Sequence, residues 1–217
     1  MKYYYLKVLI VFIIFFFILY TKPVMADLPL QGKTIVVDAG HGGLDPGTIY
    51  KDIYEKNINL KISLYLREYL SSYGATVILT RDSDADLSNG VKNHRKKADF
   101  DNRIKIINNE YTDLYVSIHL NYLSNSSYYG AQVFYNKENQ DLAESIQNYL
   151  NEHTKTNREV KKIPASTYMY KKLTKPGILV ECGFLSNASE RNKLVTEEYQ
   201  KEFAKALALA IVNYYNK

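Results

Sequence analysis

The run "IVVDAGHGG", Ile35 to Gly43, decides how the rest of the chain is read. Ile35, Val36 and Val37 are β-branched in succession, which favours a pleated strand. An apolar run with no alternation belongs inside a sheet that is covered on both faces. The run then ends in a histidine framed by Gly40, Gly42 and Gly43. Those glycines make either a tight turn with an incidental imidazole or a bare backbone that lets something approach His41 closely.

Working outward, short β-branched runs recur at Thr34–Asp38, Ala75–Thr80, Leu114–Leu120, Ala131–Tyr135 and Ile178–Cys182. Amphipathic stretches lie between them. Ile58, Ile62, Leu66 and Leu70 repeat every four residues before Gly74, a natural helix stop. Leu142, Ile146 and Leu150 do the same, and Phe203, Leu207 and Ile211 close the chain. Apolar strands alternating with helices predict an α/β fold, a mostly parallel central sheet flanked by helices on both faces. There is no internal repeat and no low-complexity tract, so a single domain is expected over residues 33–217.

The 217 residues are enough for one sizeable core. Apolar content of 46% and charged content of 24% are ordinary for a globular chain and argue against disorder. The net charge of +5 suits an anionic surface such as a cell wall or lipid. It is too weak and too scattered to argue for nucleic acid, and none is expected as a partner.

The start, "MKYYYLKVLIVFIIFFFILYTKPVMAD", stands apart. Lys2 and Lys7 flank an apolar run from Val8 to Tyr20, and Val24-Met25-Ala26 resembles a small-residue cleavage site. Residues 1–26 read as a secretory signal, with an uncleaved membrane anchor as the alternative, because the run falls short of the ~20 apolar residues of a spanning helix. Residues 27–32 read as a linker. Export follows, and lone Cys182 fits an exported protein without an internal disulfide.

One segment breaks the rhythm. "RDSDADLSNGVKNHRKKADFDNR", Arg81 to Arg103, is polar and without clear period. It reads as a solvated loop, or as an excursion facing substrate or partner.

In an open α/β sheet, ligands bind beyond the carboxyl ends of the strands. The polar residues expected there are His41 after the first strand, Glu55 opening the first long helix, His119 ending "LYVSIHLN" and Glu181 in "GILVECGF". Two histidines and a carboxylate, plus a second carboxylate, are what a catalytic zinc site needs. Three protein ligands leave a position for water, and the extra carboxylate serves as base. Each residue also has a plainer reading. His41 could be a turn residue, His119 a satisfied core histidine, and Glu55 a helix-start carboxylate facing the dipole. Glu181 is harder to dismiss, since a carboxylate between Val180 and Cys182 is costly without a partner.

Other constellations fare worse. The glycines do not complete G-x-G-x-x-G, because Asp45 falls on the last position, and no phosphate-binding G-x-x-x-x-G-K-[ST] occurs. Cys182 beside a histidine could be a nucleophilic pair, but strand alternation points it away from the face of Glu181, so it reads as a small buried side chain. His94 and His153 read as exposed.

"IVVDAGHGGLDPG", Glu55 in "YEKNINLKIS", "TRDSD", "VSIHLN" and "ILVECGFLSN" together resemble, in order and spacing, the zinc-dependent N-acetylmuramoyl-L-alanine amidases, often called amidase type 3. The resemblance spans Lys33 to the C-terminus. It implies one Zn2+ ion held by His41, Glu55 and His119, with Glu181 as the catalytic carboxylate, and a sheet of about six strands. The substrate it implies is peptidoglycan. The layout is also similar to the germination-specific amidases of spore formers, the CwlD type, which strip stem peptides from spore cortex so that muramic-δ-lactam can form. Ala39 in "DAGHGG" and Cys182 depart from frequent family residues and touch none of the implied ligands. The chain shows no wall-binding module beside the domain, so targeting is expected to come from the domain's own surface or from an activating or targeting protein partner, with the Asp82–Asp101 stretch as the candidate contact. The alternatives are a zinc peptidase cutting within stem peptides and a non-catalytic wall-binding module; the presence of Glu181 argues against the second.

Overall fold

The computed structural model describes residues 3–5, 7 and 27–216. Apart from four residues, the expected export segment, residues 1–26, lies outside the described residues. Among the described residues no helix is long and apolar enough to cross a membrane. Within the stretch expected to be a linker, Leu30 is buried in the main core, and its N–H donates to the Tyr73 carbonyl at 2.8 Å.

The sheet has six strands in the order β4-β1-β5-β8-β6-β7. Its members are β1 (Thr34–Ala39), β4 (Thr76–Leu79), β5 (Leu114–Asn121), β6 (Gln132–Tyr135), β7 (Lys161–Lys162) and β8 (Gly177–Phe184). All pairings are parallel except β6 against β8. A separate antiparallel pair, β2 (Ile49–Tyr50) and β3 (Ile53–Tyr54), follows the glycine turn. The five expected strands are all present, with ends shifted by one or two residues. β7 is the strand the sequence pattern does not mark: it consists of two exposed lysines, joined by backbone pairing to Phe134 and Tyr135.

Helices cover both faces, as the apolar strands require. α1 (Glu55–Ser72), α3 (Gln140–Thr154) and α6 (Glu197–Tyr215) lie on one side. Ile58, Ile62, Leu66 and Leu70 of α1 and Phe203, Leu207 and Ile211 of α6 join Ile35, Val37, Val116 and Val180 in the larger core cluster. A fully buried aliphatic side chain contributes about 1.5–3 kcal/mol, so these spaced rows hold the layer in place. Tyr73 caps α1, and Gly74 follows at φ +97°, the left-handed position that ends helices cheaply for glycine alone. The Thr196 hydroxyl accepts the Tyr199 N–H to start α6.

The second face is thinner. It carries α2 (Arg95–Ile107) and the short α4 (Tyr168–Lys172), packed through Ile107, Met169 and Tyr170 on Val36 and Tyr115. α5 (Ala188–Leu194) connects β8 to α6. Residues 82–94 form the expected, mostly exposed loop, but α2 corrects that reading for Arg95–Arg103. Its inward stripe is Asp99, Arg103 and Ile107, spaced four apart as a helix demands. Two of those three are charged, so hydropathy conceals the period.

Candidate metal centre

The site forms where β1, β5 and β8 end. β1 stops at Ala39, and the Gly40 N–H donates to the Ile118 carbonyl at 3.0 Å. His41 follows at φ +61°, in the left-handed region that costs a non-glycine residue roughly 1 kcal/mol or more. Gly42 and Asp45 close the turn with reciprocal backbone bonds of 2.9 Å. Gly40 matters for space: a Cβ there would collide with the His119 imidazole. Its absence lets the two rings meet, with centroids 5.0 Å apart and planes 80° apart.

Glu55 is the first residue of α1 and only 3% exposed. Its Oε2 accepts the Thr48 N–H at 2.8 Å, and its Oε1 accepts the Leu120 N–H at 3.0 Å and the Asn59 amide at 3.2 Å. The same Oε1 lies 3.2 Å from His41 Nε2 and 3.2 Å from His119 Nδ1. Burial alone would raise this carboxyl, but hydrogen bonds and charge from His119 and His41 hold it well below the usual range. Burial likewise works against a charged His41, yet Asp45 and Glu55 raise it to about 9.

His41, Glu55 and His119 can each offer one ligand atom, with all three atoms inside 4.8 Å of one another. Two imidazoles and a carboxylate gathered this closely can hold a divalent metal and suit its tetrahedral preferences when it is zinc. Asp45 Oδ2 lies 3.1 Å from His41 Nδ1, the carboxylate–histidine arrangement that leaves Nε2 to the ligand position. Sequence reasoning passed over Asp45; its place four residues after His41, within the same glycine turn, was the available signal.

Glu181 stands in register with His119 on the neighbouring parallel strand, so the two side chains share a face. The residue keeps partial solvent access, but its Oε2 is shielded and has no hydrogen-bond partner among the described residues. Burial, then the negative charge of Glu55, push its carboxyl up to about 8, with His41 pulling the other way. A shielded carboxylate oxygen with nothing to bind is rare and calls for a proton or a cation. Cys182, one residue on, is fully buried on the opposite side of the strand within the main core. His94 and His153 are exposed and stand outside the cluster.

Beneath the turn lies a network of charged residues that sequence reasoning did not single out. Asp38 accepts from Arg103, Thr80 and Ser117, and Arg103 also pairs with Asp99. Burial would raise Asp38, yet Arg103 and Ser117 hold it below its ordinary value. Burial and the neighbouring Arg103 charge bring Arg81 down to about 10.

Comparison with known proteins shows the family of the chain. The profile of the N-acetylmuramoyl-L-alanine amidase family matches residues 35–213. The germination-specific N-acetylmuramoyl-L-alanine amidase of Bacillus subtilis (strain 168) is 40% identical over 198 residues, covering 88% of this chain and 83% of that protein. The CwlD amidase from Clostridioides difficile, solved in complex with the GerS lipoprotein, is 42% identical with a TM-score of 0.78, covering 85% of this chain and 98% of that one. LytC of Bacillus subtilis (strain 168), an N-acetylmuramoyl-L-alanine amidase, is 33% identical over 193 residues, 86% of this chain but 36% of its own length. The matched span contains every residue placed at the strand ends above, and the chain belongs to the N-acetylmuramoyl-L-alanine amidase family.

Proposed function

We propose that the protein hydrolyses the amide between the lactyl group of muramic acid and L-alanine in peptidoglycan stem peptides, using one zinc ion held by His41, Glu55 and His119. The observation that carries this reading is the shielded, unpartnered Oε2 of Glu181, in register with His119. When bound, zinc supplies Lewis acidity, bringing the pKa of water to near ~7 and stabilising negative charge on a carbonyl oxygen. Glu181 is the proton carrier. Its carboxylate accepts a proton from the attacking water and returns it to the nitrogen of the leaving L-alanine. Asp45, 3.1 Å from His41 Nδ1, holds that imidazole in orientation, and the glycines let the turn pack against His119 and the Ala85–Asp86 backbone.

The similarity to a germination-specific amidase and to CwlD supports spore cortex as the substrate layer. The Lys-flanked apolar start supports action outside the cytoplasmic membrane. The lipoprotein bound to CwlD supports a protein partner for this chain also. The test is mass spectrometry of purified peptidoglycan digested by the full-length chain with zinc. An amidase frees an L-alanine amino terminus and leaves the glycan intact. Cleavage within the stem, leaving L-alanine on muramic acid, makes the protein a peptidase instead.

A further inference from the structure

We propose that Arg81 and Arg103 are positioning residues whose guanidinium groups set the spacing of His41 and Glu55, and with it the affinity for zinc; this rests on the zinc reading above. Three successive carbonyls at the end of β1 point into the interior, and each receives a charged N–H. Arg81 Nε donates to Ala39 at 2.9 Å and its Nη2 to Gly40 at 2.9 Å. Arg103 Nη1 donates to Ala39 at 2.8 Å and its Nη2 to His41 at 2.6 Å.

The second reach of Arg81 carries the inference. Its Nη2 also donates to the Lys56 carbonyl at 2.8 Å. Lys56 follows Glu55 in the first turn of α1, and Gly40 precedes His41. One nitrogen therefore ties together the backbone beside two of the three ligand residues. Asn59 repeats the bridge more weakly, donating to Gly40 at 3.3 Å and to Glu55 at 3.2 Å. Arg103 then pins His41 itself in its left-handed conformation.

The choice of arginine fits this role. A planar fork of five donors can span fixed carbonyls, whereas a lysine ammonium offers one point charge on a flexible stem. As a device for stability alone the arrangement is poor, because two buried cations sit side by side. Asp38 and Asp99 compensate Arg103, while among the described residues the side chain of Arg81 hydrogen-bonds only to carbonyls. Buried charge of this kind adds little stability over apolar packing. What it supplies is geometry at the strand end.

The experiment measures zinc dissociation constants of the full-length chain by competition with a chromophoric chelator, alongside the melting temperature of the zinc-stripped form. Arg81→Lys and Arg103→Lys should each weaken zinc binding about 10-fold or more, the range expected when support of metal ligands is lost. Ile146→Val and Ile146→Ala, in the core of α3, provide controls that lower melting without touching the turn. They should bind zinc like the parent chain. If the arginine variants melt like a control and also bind zinc with unchanged affinity, the two residues are structural only and the proposal is overturned. Should Arg103→Lys fail to fold, Arg81→Lys decides, since it leaves no carboxylate without its hydrogen-bonded partner. Absence of saturable zinc binding in the parent chain would instead overturn the zinc reading, and this proposal with it.

Discussion

Glu181 lies on β8 between Val180 and Cys182, two side chains that never leave the core. A carboxylate there is a cost to folding unless it does chemistry. Glu181→Gln keeps the size and the hydrogen-bonding capacity but cannot take up the water's proton. Turnover should fall at least ~100-fold, the lower end of what a positioned acid or base contributes, while zinc stays bound. Loss of zinc in this variant would make Glu181 a ligand. His41→Ala and His119→Ala should behave differently, losing zinc and activity together; unchanged zinc stoichiometry in either removes that residue from the site. The same glutamate also predicts a pH dependence. Its folded pKa of about 8 lies above the ordinary 4.5, so the folded chain binds this proton more tightly than the unfolded one. Its contribution is therefore most favourable at low pH and is lost as pH rises from about 4.5 to about 8. In zinc-stripped protein, Glu181→Gln should gain stability over the parent across that window, by up to about 5 kcal/mol at the alkaline end. Urea unfolding at several pH values checks this, and parallel curves would contradict it. At this scale His41, Glu55 and His119 were legible as candidates because each ends or begins an element with a clear pattern. Asp45, Arg81 and Arg103 were not, because most of their partners come together only in the fold: His41 across a turn for Asp45, backbone carbonyls for Arg81, and Asp38 with the Ala39 and His41 carbonyls for Arg103.

Among the elements, those with an apolar stripe were readable and those held by polar contacts were not. α1 and α6 announce themselves through rows of Ile, Leu and Phe spaced three or four apart. α2 has the same spacing in Asp99, Arg103 and Ile107, but its buried face is mostly ionic. No hydropathy period could reveal it, because its buried charges pair with each other and with Asp38 and the carbonyls of Ala39 and His41, more than 60 positions away in sequence. β7 is invisible for another reason: both of its residues are exposed lysines, and only backbone pairing makes them a strand. The apolar elements in turn predict a separation of stability from chemistry. Leu207→Ala, in the fully buried middle of α6, should cost about 2–5 kcal/mol. The zinc stoichiometry of the folded fraction should remain one per chain. Denaturant unfolding and metal analysis on the same sample check both halves, and loss of zinc at full folding would show that α6 shapes the site.

For the whole molecule, an α/β fold carries the site behind an apolar start, and the proposal that this Lys-flanked start directs export has its own test. A reporter that fluoresces only in the cytoplasm, fused after residue 32, should stay dark in cells, and bright fluorescence would contradict export. The α/β class, the five apolar strands with the helices of apolar stripe between them, and the choice of His41, Glu55, His119 and Glu181 as candidates were all legible in the sequence alone. Hydrophobic periodicity is local, and so are the glycine turn and the carboxylate misplaced on an apolar strand. The tertiary structure alone decided what those residues face. It brought His119 into register with Glu181, placed one oxygen of Glu55 between two imidazoles, and turned an apparent polar loop into a helix whose arginine reaches the His41 carbonyl. Contacts between residues 40 to 80 positions apart leave no period in the sequence, because charge and geometry balance only once the chain has folded.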